Sequence, residues 1–257
     1  MAQTKNFRHG RIKIVSGDSP TPLVHICDFT EGDFQFTEAF TVNEVRSRGV
    51  LRELTRGDDQ LVTWSFSAKF TDKSLIRVLR DKVWPAQAAT KTGLTASADN
   101  TITPAYPFEE GSVEITTTPG TWVKDAAGTT PTVDNHYAEA TPLDPDIEGV
   151  VRALTFVVQL PSGVTAIDYT FDAVGRGTGT DANEACSGGV KAFDLVFEVF
   201  DPCDPPDHED PDAGTVLETY TVQDAFLESH SFAEADDADT ISFAGRANHP
   251  KVLIETA

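Results

Sequence analysis

Basic residues are scarce in this chain. Lys and Arg number 20 against 41 Asp and Glu, and the formal net charge is -21. A surface this acidic repels phosphate backbones, whose binders need Lys and Arg to release counterions. It also disfavours docking on anionic bilayers. Cysteine is scarcer still. Cys27, Cys186 and Cys203 are odd in number and far apart, which fits neither a disulfide framework nor a zinc pattern. Such usage suits assembly in a reducing cytoplasm. No apolar run approaches the roughly 20 residues of a membrane-spanning helix. The stretch 1–10 has no apolar segment of the signal-peptide kind.

The motifs of common chemistries are missing as well. There is no G-x-S-x-G elbow, and the histidines at 9, 25, 136, 208, 230 and 249 lie in no recognisable triad setting. Gly175, Gly177 and Gly179 lack the strand-then-helix context of a phosphate loop. The acidic stretch with Asp204, Asp207, Glu209, Asp210 and Asp212 supplies oxygen ligands of the kind calcium takes, but prolines interrupt any EF-hand register. It reads first as a solvated acidic loop. Cys203 and His208 make half a zinc site, with no second pair at usable spacing. Acidic pairs of the glycosidase type come free with this composition and single nothing out. The expectation is a protein that is not an enzyme, with no catalytic, cofactor-binding or metal residue assigned.

What the chain does have is alternation. From Leu61 to Thr71, Val62, Trp64, Phe66, Ala68 and Phe70 fall on one face, and Thr63, Ser65, Ser67, Lys69 and Thr71 on the other. A period of two with one apolar face marks a half-buried strand. Asp72 is placed to cap a helix, in which Leu75, Ile76, Leu79 and Val83 share one face. Pro85 ends it, because the residue before a proline is driven from helical geometry. Val42 to Leu54 reads as the hairpin partner of the Leu61 strand, with Arg56-Gly57-Asp58-Asp59 as the turn. Arg46, Arg48, Arg52 and Arg56 make this arm the most basic part of the chain. The plain reading is a solvated strand face; the functional one is contact with the acidic surface of a neighbouring copy. Arg56-Gly57-Asp58 as an adhesion tripeptide carries no weight beside the turn.

Further strands are expected at Arg11 to Val15, Leu23 to Cys27, Leu154 to Leu160, Phe193 to Val199, Val216 to Val222, Ala225 to Phe232, Thr240 to Gly245 and Lys251 to Glu255. A weaker one is expected at Tyr169 to Ala173. Short, evenly spaced strands predict a sandwich or barrel. The stretch 86–145 is rich in Thr, Ala, Pro and Gly. Only Val113 to Ile115 and Thr121 to Val123 suggest strands there, joined by a Pro-Gly turn. The fold expected is mainly β: a β-sandwich with one flanking α-helix and a long hairpin. Residues 1–85 and 146–257 form the sandwich domain, and 86–145 an irregular or small β insertion.

Several phrases carry a resemblance. Thr4-Lys5-Asn6-Phe7-Arg8, Arg11-Ile12-Lys13-Ile14 and the run from Asp28 to Glu38 resemble the opening of the major tail tube proteins of long-tailed, siphovirus-like bacteriophages. The Leu61 to Phe70 strand before the Ser74 to Val83 helix is similar to that family's helix-flanked sandwich. Glu218 to Val222 and Phe226 to Phe243 are similar to its closing strands; 86–145 has no counterpart. The resemblance implies a structural virion protein that self-assembles into stacked homo-hexameric rings. Such a tube joins sheets of adjacent subunits around a bore and conducts phage DNA during ejection. It implies tape measure and tail terminator proteins as partners, passage of DNA without specific binding, no membrane, and assembly in the host cytoplasm. An acidic bore would let a polyanion slide past. The hairpin of 42–54 with 61–70, or its Arg56 to Asp59 tip, is then expected to contact a neighbouring subunit or ring, and the N-terminal residues 2–9 and the tail after Gly245 to order only on assembly. The alternative is a monomeric β-sandwich binding module for carbohydrate, dependent on calcium, with Trp64, Trp84 and Trp122 as stacking surfaces.

Overall fold

The structure is a computed structural model that describes residues 10–16, 21–27, 33–47, 50–69, 74–95, 100–117, 121–140, 152–175, 192–205, 213–233, 240–249 and 251–256, with backbone alone for 40–47, 50–61, 69 and 152. The fold is mainly β, built of several antiparallel sheets with one short helix. In chain order β1 (Gly10–Val15), β2 (Val24–Cys27), β3 (Gln35–Ser47) and β4 (Val50–Lys69) come first. A helix α1 (Ser74–Ile76) runs into a π-helical turn at Arg77–Asp81. Then follow β5 (Val83–Thr92), β6 (Asn100–Ile102), β7 (Phe108–Glu109), β8 (Glu114–Ile115), β9 (Val123–Lys124) and β10 (His136–Glu139). After them come β11 (Arg152–Ala153), β12 (Phe156–Gln159), β13 (Ala166–Val174), β14 (Phe193–Phe200), β15 (Val216–Ala233), β16 (Thr240–Ala247) and β17 (Val252–Thr256).

The chain divides into two compact units. One comprises Met1–Leu75, Gly177–Thr180 and Val190–Ala257; the other comprises Ile76–Arg176 and Asp181–Gly189. The second unit thus takes in 76–85 and 146–176, which the sequence assigns to the sandwich domain, besides the expected insertion 86–145. The reason is pairing: β13 runs antiparallel to β5 from Ala166 opposite Thr92 to Val174 opposite Val83.

The first unit is one eight-stranded sheet in the order β2-β1-β14-β15-β16-β4-β3, with β17 also on β15. The alternation read at 62–68 holds: Val62, Trp64, Phe66 and Ala68 are buried. Phe70 and Asp72 lie outside the described residues. The sheet turns back on itself. Trp64 of β4 and Phe193 of β14 are three strands apart, about 14 Å on a flat sheet, yet their ring centroids are 5.8 Å apart. Phe36 of β3 meets Tyr220 of β15 at 5.9 Å. Gly245 makes this fold-over possible. It sits opposite Trp64 in the β16–β4 ladder, and a Cβ there would strike the Phe226 carbonyl and stand 2.5 Å from the indole. The indole Nε1 donates to the Arg246 carbonyl at 3.1 Å.

The second unit has a sheet β6-β12-β10-β9 and a sheet β11-β7-β13-β5 with β8 on β13. Phe156 of the former meets Phe108 edge-on at 6.2 Å and Tyr169 at 5.1 Å. These T-shaped pairs bring the two sheets face to face. The expected hairpin of 113–115 with 121–123 does not form: β8 pairs β13, and β9 lies parallel to β10 in the other sheet. Leu154, expected in a strand, is exposed ahead of β12. β13, the weak expectation, is central to its sheet and well buried. Its Asp168, Thr170 and Asp172 alternate with the buried Ile167, Tyr169, Phe171 and Ala173, and Asp172 holds Arg77 and the Ala86 N–H.

Two further corrections concern the helix and the hairpin turn. The helix stops at Asp81, before the proline expected to end it. Lys82 turns left-handed at φ 57°, buries its side chain and donates from Nζ to the Leu79 carbonyl. Val83 and Pro85 then belong to β5. Arg56 to Asp59 is no turn. Phe40 pairs Gln60 and Val42 pairs Arg56, so 57–59 bulge against Thr41, and the ladder continues to Ser47 opposite Val50. A glycine with two aspartates suits a bulge as well as a turn.

Candidate assembly surface

The open edges of the first unit are its most distinctive chemistry. β15 changes partners midway. Its first half pairs β14, up to Ala225 opposite Phe193. Its second half pairs β16, from Ala225 opposite Ala247 to Ala233 opposite Thr240. The changeover is a bulge at Asp224, which takes φ 52°. Its N–H donates to Asp194 Oδ1 at 3.0 Å, and its carbonyl accepts from the Asn248 N–H at 3.0 Å. Burial pushes the Asp194 carboxyl up; the Asp224 N–H opposes that, the Asp224 charge adds to it, and His249 opposes it.

Beyond the bulge, 226–233 has no strand on its other side among the described residues. At that level the sheet of described residues is four strands wide, β15-β16-β4-β3, and among them β3 likewise pairs on one side only. Edge strands of monomers are blunted by Lys, Pro or short length. β15 runs for 18 residues with no Lys, Pro or Gly, and Phe232 is 59% exposed.

The two faces of this four-stranded region differ. One carries Trp64, Phe66 and Phe243, all buried. The other places Ser231, Ser242 and Ser67 in one row, and Ser229, Ala244, Ser65 and Gln35 in the next. Ser67 and Ser242 share a hydroxyl hydrogen bond of 2.9 Å. Arg246 on this face is held by Glu228 at 2.9 Å.

The alternative sites fare differently. In the acidic stretch, Asp201 Oδ1 accepts the Cys203 N–H and Asp204 Oδ2 the Thr215 hydroxyl. Asp207, His208, Glu209, Asp210 and Asp212 lie outside the described residues. Among the described residues no three His, Cys, Asp or Glu gather to hold a metal. Trp64 and Trp84 are buried, and Trp122 is half-buried with its Nε1 on the Thr117 carbonyl. No described helix is long and apolar enough to cross a membrane. The sequence missed the open β15 edge because Gln223-Asp224 reads as a break between two strands. The absence of Gly and Pro from 216 to 233 is the signal of continuity. No protein-family model matches the chain, and no curated protein matches it.

Proposed function

We propose that this chain is a structural subunit of a bacteriophage tail tube, self-assembling head to tail into rings that stack around a DNA conduit. The observation that supports this most directly is the four-stranded region that, among the described residues, is open at both ends, β15 at one and β3 at the other. Pairing one copy's β15 edge with the next copy's β3 edge is a heterologous contact, which closes into a ring when the rotation per subunit permits. The resemblance at 4–38, 61–83 and 218–243 supplies the tail tube identity and the hexameric expectation.

On this reading the hydroxyl-bearing face lines the bore. Its serines and threonines offer a polyanion no fixed counter-charge; of the bases on the four-stranded region's polar face, Arg246 is engaged by Glu228, and Lys69 stands at the end of the ladder opposite Thr240. DNA then slides without adsorbing, helped by the negative chain as a whole. Negative-stain microscopy of concentrated protein tests the reading, with annuli or tubes expected. The double substitution Ser229→Lys and Ser231→Lys places edge-blocking charges on β15. It should abolish assembly while leaving monomer melting unchanged. A wild-type protein that stays monomeric at every concentration and salt would reject the proposal.

A further inference from the structure

The outer edge of β17 is a second docking site, and we infer that residues 2–9 of another copy occupy it as an added strand. β17 pairs β15 on one side, Val252 opposite Val222 through Thr256 opposite Glu218, and no strand lies on the other among the described residues. The Val252 N–H points to that open side, where Glu38 Oε1 accepts it at 2.7 Å. By antiparallel alternation Ile254 and Thr256 turn their N–H and C=O groups the same way. Leu253 and Ile254 point to opposite faces and are 43% and 55% exposed. Val252, on the Ile254 face, is buried and its outward N–H is taken by Glu38; from Leu253 onward both faces are exposed, and Ile254 and Thr256 are the free positions of the edge.

Charge selects the occupant. Exposed Glu38 and Glu255 flank the edge, and Glu218 stands across from Thr256. Lys251 immediately precedes β17, and between Lys191 and Arg246 the chain has no Lys or Arg. Residues 2–9, Ala-Gln-Thr-Lys-Asn-Phe-Arg-His, carry Lys5 and Arg8, no acid, and Phe7 as an apolar anchor. Geometry favours a second copy. Gly10, Val199, Glu218 and Thr256 form one row across the sheet. To reach its own β17, the chain before Gly10 would have to turn and cross about 14 Å of sheet, leaving few of its residues to pair. Running straight on toward a neighbour it needs no turn, and eight extended residues reach about 27 Å. Added strands of this kind bind through main-chain hydrogen bonds and alternate side chains.

The inference needs self-association but not tubes. Amide hydrogen exchange at Ile254 and Thr256 tests it, in full-length protein and in a variant lacking residues 2–9. Full-length protein should show at least tenfold slower exchange at high than at low concentration. The truncated variant and the Lys5→Glu/Arg8→Glu variant should show no such slowing, with circular dichroism unchanged. Equal slowing in all three, or none in any, overturns the inference. Slowing that needs residues 2–9 but not concentration would assign the strand to its own copy and overturn it too. Tubes without protection would reject this contact and spare the tube reading; protection in a dimer without rings would do the reverse.

Discussion

Single residues decide how tightly the first unit folds over. Trp64 reaches Phe193 only because Gly245 has no side chain beneath the ring. Gly245→Ala should therefore cost about 3 kcal/mol, at the upper end of overpacking penalties, read as a fall in the urea midpoint with m unchanged. Asp194 is a different case. Burial raises its pKa, with the opposing and reinforcing partners already described, so the folded state binds its proton more tightly than the unfolded chain. The stabilisation this gives is fully present below the unfolded value of about 3.9 and is lost as pH rises through the folded one. Asp194→Asn keeps an acceptor for the Asp224 N–H and removes the titration. The stability of wild type relative to this variant should rise as pH falls from 7 toward 4; a flat difference in denaturant midpoints would contradict the assignment.

At the level of elements, strand continuity is set by hydrogen-bond partners more than by local propensity. Residues 57–59 and Asp224 look like breaks in sequence, yet both are bulges inside long ladders. Each β-rich flank is strong enough to carry an irregular residue through. The helix-to-strand passage stores strain instead. Lys82 and Ala86 both adopt positive φ, at 57° and 55°, and the Ala86 N–H is tied to Asp172 Oδ1 at 2.9 Å. A left-handed alanine costs about 1–2 kcal/mol, whereas glycine adopts that conformation freely. Ala86→Gly should be neutral to stabilising by about 1 kcal/mol in thermal melts. Ala88→Gly, at an ordinary strand position two residues on, should lose about 0.5–1 kcal/mol.

For the whole molecule, two units with separate aromatic cores imply two unfolding events. Differential scanning calorimetry should resolve two transitions. Gly245→Ala should lower one of them. Gly175→Ala, whose Cβ would strike the Trp84 ring, should lower the other. A single transition shifted by both substitutions would mean the units unfold together. A charge of -21 per chain also makes copies repel at long range. Assembly should accelerate as salt rises from about 0.01 M to about 0.15 M, where the Debye length shrinks from about 30 Å to about 8 Å; turbidity or light scattering follows it.

The amino-acid pattern by itself determined the class of fold and the buried face of β4, because a period of two at Val62, Trp64, Phe66 and Ala68 has one solution in a half-buried strand. It also determined the acidity and the four-stranded region's two-faced character. Only the tertiary structure decided where ladders end and which edges stay open. Asp224 and Gly57 carry the same local chemistry in a bulge as in a turn, and the choice between them rests on partners far along the chain. The extent of the second unit was decided in the same way, by β13 finding β5 some 80 residues earlier. Periodicity reports what faces the core; it is silent on which strand lies alongside, and the proposed assembly depends on that neighbour being absent.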